Sequence, residues 1–216
     1  MSDAQPAGSH LTTIVGGAGV LLASLILLLA SLGAVIPISD AYIFPFRSQV
    51  PSTVSAIIFL VALAVLAFGI RGEQGIVGGS IVGKVAMLVF GIGGVVTRII
   101  GLLSDNTTLT GAIAVGYLLT AISAIVLIAS IVAAIVIARA GVLHGFARWA
   151  LLVLVAWDLL MTALFSAPLI QVAYVLAVWH VDVIRPLLLI AVGVAYLLHG
   201  QTAAIRHRLH IINEKW

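Results

Sequence analysis

From Leu11 to Ile36 the chain runs for 26 residues without one ionisable side chain. A water-soluble helix must turn a polar face to solvent, and this stretch has none to offer. About 20 mostly apolar residues in helical form span the hydrocarbon of a bilayer, and backbone that is not helical cannot face lipid. Five further stretches meet the same requirement: Ser52–Ile70, opened by Pro51; Lys84–Leu103; Gly111–Ala138; Phe146–Ser166; and Pro186–Ile205. The pattern predicts an all-α fold, a polytopic bundle of six transmembrane helices forming one integral membrane domain over residues 1–216. Residues 169–184 are apolar but short for a span. They are read as interfacial, or as an outward extension of the last helix with a kink at Pro186.

Composition agrees. Hydrophobic residues make up 63% of the chain and charged residues 8%, where a soluble domain carries about 25% charge. Seventeen charges on 216 residues cannot coat a water-facing surface. With no cysteine, disulfides, thiolate metal sites and cysteine nucleophiles are excluded. The net charge of +3 comes from basic residues at the ends of apolar runs, which sets topology in a bilayer and does not point to nucleic acid. Residues 1–10 hold no Lys or Arg and the following apolar stretch is too long for a signal peptide, so the first span reads as a retained helix.

Orientation follows from counting. With the N-terminus inside, the cytoplasmic side receives Arg71, Lys84, Arg139, Arg148, Arg206, Arg208 and Lys215, and the outer side Arg47, Arg98 and Arg185. Seven against three predicts both termini in the cytoplasm. Tyr42, Phe44, Phe46 and Trp179 then fall at the outer interface, Trp149 and Trp216 at the inner one. The Ala/Val/Gly/Leu bias and the absence of cysteine suit a high-GC bacterium, and the expected location is its inner (plasma) membrane.

Helices associate in lipid through small residues and polar contacts. Gly17, Ser24 and Ser31 form such a stripe on the first span; Gly91, Gly94, Arg98 and Gly101 on the third; Gly116, Thr120, Ser123, Ser130 and Ala134 on the fourth. On the fifth, Asp158, Thr162 and Ser166 form one row, read as facing inward. Val153, Trp157, Met161 and Phe165 form a bulkier one, read as facing lipid.

Asp158 carries the most information, because an acid near the middle of a span costs about 2.5–3.5 kcal/mol unless paired, protonated or used. Arg98 is the expected partner. Asp158 lies about eleven residues from the cytoplasmic end of its helix and Arg98 about fourteen, a depth difference of roughly 4–5 Å. His180, Asp182 and Arg185 form a second candidate cluster at the outer mouth, where a His–carboxylate pair can relay protons. Gly78–Val85 (GGSIVGKV) has the glycines and lysine of a phosphate-binding loop, but Val85 replaces the magnesium-binding hydroxyl and no strand precedes it. The glycines at 69, 72, 75, 78 and 79 read as a flexible cytoplasmic loop. His207, His210 and Glu214 in the basic tail could form a metal site, but neighbouring cations and fraying weigh against it. Asn106-Thr107-Thr108 fits a glycosylation acceptor that hugs the membrane.

No HExxH or GxSxG motif is present, so no enzyme, cofactor or metal centre is expected. Two functions fit: a non-catalytic membrane subunit or assembly protein that packs on itself or other membrane subunits through its small-residue stripes, or a small-solute or ion transporter (or its ligand-binding subunit) using Asp158 and Arg98. The scarcity of intramembrane polar residues favours the first.

Overall fold

The computed structural model describes residues 10–35, 49–104, 109–165 and 180–213. They form six long helices: α1 (His10–Val35), α2 (Gln49–Phe68), α3 (Ile81–Ser104), α4 (Leu109–Ala140), α5 (Ala147–Phe165) and α6 (Arg185–Asn213). All six are long and apolar enough to cross a membrane, and there is no strand among the described residues. Helix ends fall where the sequence places its breakers, except that α6 runs on through the basic tail to Asn213. A π-helical turn, His180–Ile184, leads directly into α6. Pro186 has no N–H to give the preceding turn, and a widened turn is one way a helix absorbs that loss. The expected outward extension of the last helix is thus present over 180–184; residues 169–179 lie outside the described part.

Each helix packs on its chain neighbours, and α6 returns to pack on α1, which closes a ring of six. The α6–α1 seam is the tightest. A Cβ built on Gly17 would fall 2.7 Å from the Leu197 nitrogen and 2.9 Å from the Gly193 oxygen; one on Gly193 would fall 2.7 Å from the Leu21 nitrogen. The two backbones touch, and only glycine permits it. On the other side of α1, Ser55 Oγ on α2 donates to the Ala23 carbonyl at 2.7 Å.

The end of the bundle that holds His10 also receives the α2–α3 and α4–α5 connections; we call it proximal. Its half is a dry apolar plug: Leu66, Ile76, Val77, Met87, Ile137, Leu143 and Leu154 are all essentially inaccessible. The α2–α3 connection is part of that plug. Ile76 N–H donates to the Leu66 carbonyl at 2.8 Å and Ile76 and Val77 are buried, so the glycine-rich segment is a packed turn and not the loose loop its composition suggests. At the α4–α5 turn, Arg148 Nε donates to the Ala138 carbonyl at 2.6 Å, satisfying one orphan acceptor at the end of α4.

Glu73 ties the turn to α1. Its carboxylate accepts from the Thr12 N–H at 2.7 Å and the Leu11 N–H at 3.2 Å, and Thr12 Oγ1 accepts in return from the Ile70 N–H at 3.0 Å. An anion on free N–H groups at a helix start is favoured by both hydrogen bonding and the helix dipole. Glu73→Gln keeps the shape and removes the charge. It should lower stability by about 1–2 kcal/mol, read as a lower melting temperature in detergent and faster amide exchange at Leu11 and Thr12. Unchanged melting and exchange would mean that the carboxylate does not hold α1.

The small-residue stripes divide. Gly17, Ser24 and Ser31 are buried, as are Gly91, Ser130 and Ala134, while Gly116 is exposed. The expected split of α5 does not hold. Met161 is buried and Trp157 half-buried, while Val153 is open, so this part of the bulky row turns inward beside the polar one; the Phe165 side chain and Ser166 lie outside the described part. In the ring α5 packs between α4 and α6, and Leu159, Leu160 and Leu164 stay exposed on its outer side. Trp149 is exposed at the proximal end, under the Arg148 guanidinium; Tyr42, Phe44, Phe46, Trp179 and Trp216 lie outside the described residues.

Candidate functional site

Above the plug the ring does not fill. Side chains from all six helices surround a cavity of about 610 Å³ in the distal half, a volume in the ordinary range for small-molecule sites. Ser24 comes from α1, Ser52 and Ser55 from α2, Thr97 and Arg98 from α3, Thr120 and Ser123 from α4, and Asp158 and Thr162 from α5. His180 comes from the π turn and Arg185 from the start of α6. These hydroxyls sit on the inner faces of their helices because a three- or four-residue step repeats one face.

Asp158 is the hub. Its Oδ1 lies 3.6 Å from His180 Nε2 and its Oδ2 lies 3.5 Å from Arg185 Nε. Both distances allow ionic attraction but are too long for hydrogen bonds. Asp158 Oδ1 and Arg185 Nε are accordingly buried without a hydrogen-bond partner among the described residues. Buried polar atoms in that state are rare and mark strain or function. Trp157 Nε1 donates to His180 Nδ1 at 2.9 Å. An indole N–H can only donate, so Nδ1 must be the acceptor, and the proton of the neutral imidazole sits on Nε2, facing Asp158. One turn of α5 thereby fixes both the position and the tautomer of His180.

The two groups singled out in the sequence become one site. Asp158 from the presumed intramembrane pair meets His180 and Arg185 from the presumed outer cluster. The cation at ion-pair distance from Asp158 is Arg185 and not Arg98. Arg98 lines the same cavity, as its similar depth implied, but on α3, which does not adjoin α5 in the ring. The backbone of Asp182 belongs to the π turn; its side chain lies outside the described part. Sequence reasoning missed four contributors, Trp157, Ser52, Ser55 and Thr97. Trp157 was assigned to lipid because it is large. Ser52 and Ser55 were passed over although their three-residue step marks one face of α2. No group of three or more metal-ligating side chains occurs among the described residues.

No protein family, curated protein or solved structure matches this chain. The site must therefore be interpreted from its own chemistry.

Proposed function

We propose that the protein binds a small polar solute in the distal cavity and carries it across the membrane, with Asp158, His180, Arg185 and Arg98 along the solute's path. One observation carries this reading: polar side chains that looked scattered in the sequence converge from six helices on one roomy cavity above a dry plug. A polar cavity enclosed by helices, with a packed apolar region beside it, is where a membrane transporter holds its solute. The competing reading, a non-catalytic assembly subunit, relied on small-residue stripes as docking faces. Gly17 and Gly193 instead serve contact within the chain, and the hydroxyls of α2, α3 and α4 line the cavity. In this proposal the proximal end, which carries Arg71, Lys84, Arg139 and Arg148, faces the cytoplasm of a bacterial cell, and the cavity opens outward.

Cysteine is absent from the chain, so any introduced thiol is a unique reporter. With Thr97→Cys or Ser123→Cys in right-side-out vesicles, a membrane-impermeant thiol reagent should label the protein. Ala133→Cys, in the plug, should stay protected, since Ala133 is fully buried. If neither cavity thiol reacts in folded protein, the cavity is dry and the transport reading fails. If they react only in inside-out vesicles, the assigned orientation is inverted.

A further inference from the structure

We infer that the solute is a donor-rich anion: a small molecule with a carboxylate or similar anionic group whose other polar groups are N–H or O–H donors, as in a hydroxy acid or a zwitterionic amino acid. This rests on the cavity being the solute site and adds the chemistry of what it holds. A hydroxyl carries one proton and two lone pairs. Six hydroxyls on the wall each donate that proton to a backbone carbonyl: Ser24 to Val20, Ser55 to Ala23, Thr97 to Gly94, Thr120 to Gly116, Ser130 to Leu127 and Thr162 to Asp158, at 2.7–2.9 Å. With the proton so engaged, each oxygen has only lone pairs left for the cavity. The wall is rich in acceptors and calls for a guest that donates.

The charges set the second requirement. The Arg185 guanidinium lines the wall beside Asp158, and its Nε is buried without a hydrogen-bond partner among the described residues. Arg185 stands on the first turn of α6 with more than a third of its side chain open, and a guanidinium fork matches a carboxylate in two places. A simple cation would suit the oxygens but would have to lie against the Arg185 guanidinium. A bare fatty acid would suit Arg185 but would turn a greasy body toward lone pairs, leaving the oxygens without a donor. A guest bearing both an anionic head and several donors satisfies both walls at once.

The test uses the full chain in nanodiscs and four probes at equal concentration: gluconate, threonine, hexanoate and sorbitol, with affinity read by calorimetry. Gluconate or threonine should bind at least about tenfold more tightly than hexanoate and sorbitol, and which of the two wins separates hydroxy acids from amino acids. Arg185→Gln should weaken that binding by about tenfold or more. Thr120→Val, which keeps the branched shape and removes one acceptor at an exposed position, should weaken it several-fold without altering elution or melting. Arg185→Lys, which keeps the charge and loses the fork, should fall between wild type and Arg185→Gln; it replaces Arg185→Gln as the test if that variant does not fold. Equal binding of hexanoate, or binding of sorbitol that ignores Arg185, overturns the inference, as does failure of gluconate and threonine to bind. Labelling of Thr97→Cys and Ser123→Cys tells the two failures apart: a cavity that labels but ignores these probes refutes the solute class alone, and one that does not label refutes the site as well.

Discussion

Gly17→Val should leave little or no folded, monodisperse protein. At the α1–α6 crossing a single added methyl group already lies 2.7 Å from one backbone atom and 2.9 Å from another. Neither neighbour is the movable tip of a side chain, so relief requires the helices to separate. Overpacking a well-packed interior costs about 1–3 kcal/mol per insertion, and a branched side chain against a backbone exceeds that range. Against a total stability of about 5–15 kcal/mol, the loss is decisive. The seam also closes the ring, so separating α1 from α6 opens the wall on which Ser24 and Arg185 sit. Gly17→Ala should lower the melting temperature by several degrees, as should Gly193→Ala, and the two should not add, because they crowd one contact from two sides. Gly79→Ala is the control. Nothing lies within 4 Å of a Cβ there, and its melting should match wild type. Normal melting of Gly17→Val would show that the helices do not cross as closely as the structure has them.

The part of this architecture legible in the sequence was the part written in local composition. Pro37, Pro51, Arg71 and Asp105 punctuate apolar runs, and the helices begin and end beside them. What could not be read was which distant residues meet. Nothing in the sequence singles out Glu73, because its partners, the amides of Leu11 and Thr12, lie about sixty positions away and carry no side-chain signature. Bulk alone placed Trp157 toward lipid, but a tryptophan is amphipathic, and its N–H seeks an acceptor when buried; that acceptor, His180, lies 23 positions further along the chain. Depth counting put Asp158 and Arg98 at one level and was sound as far as it went. It could not say that the ring places α6, rather than α3, beside α5. Helix depth is a one-dimensional property and can be counted; the order of helices around a ring is not.

Asp158→Asn should abolish solute uptake while leaving a folded protein. The exchange keeps the volume and hydrogen-bonding shape and removes the charge that holds His180 Nε2 and Arg185 Nε from opposite sides. Without it Arg185 loses its counter-ion in a low-dielectric setting, where separating such a pair costs more than it would in water. Arg185 then either turns from the cavity or holds an anionic solute too firmly to release it. Both outcomes stop turnover, and a loss of at least about a hundredfold in uptake is expected, equivalent to about 2.7 kcal/mol. The Trp157–His180 hydrogen bond is independent of that charge, so the π turn should stay docked and melting should drop only modestly. Crossing Asp158→Asn with Arg185→Gln and, separately, with Arg98→Gln identifies the partner directly. Stability should show strong coupling in the first double-mutant cycle, of about 1–2 kcal/mol, and little in the second. The reverse ranking would make Arg98 the true counter-ion and would place α6 wrongly against α5. Full uptake by Asp158→Asn would remove the carboxylate from the mechanism and leave the cavity without a reason for its only described acid.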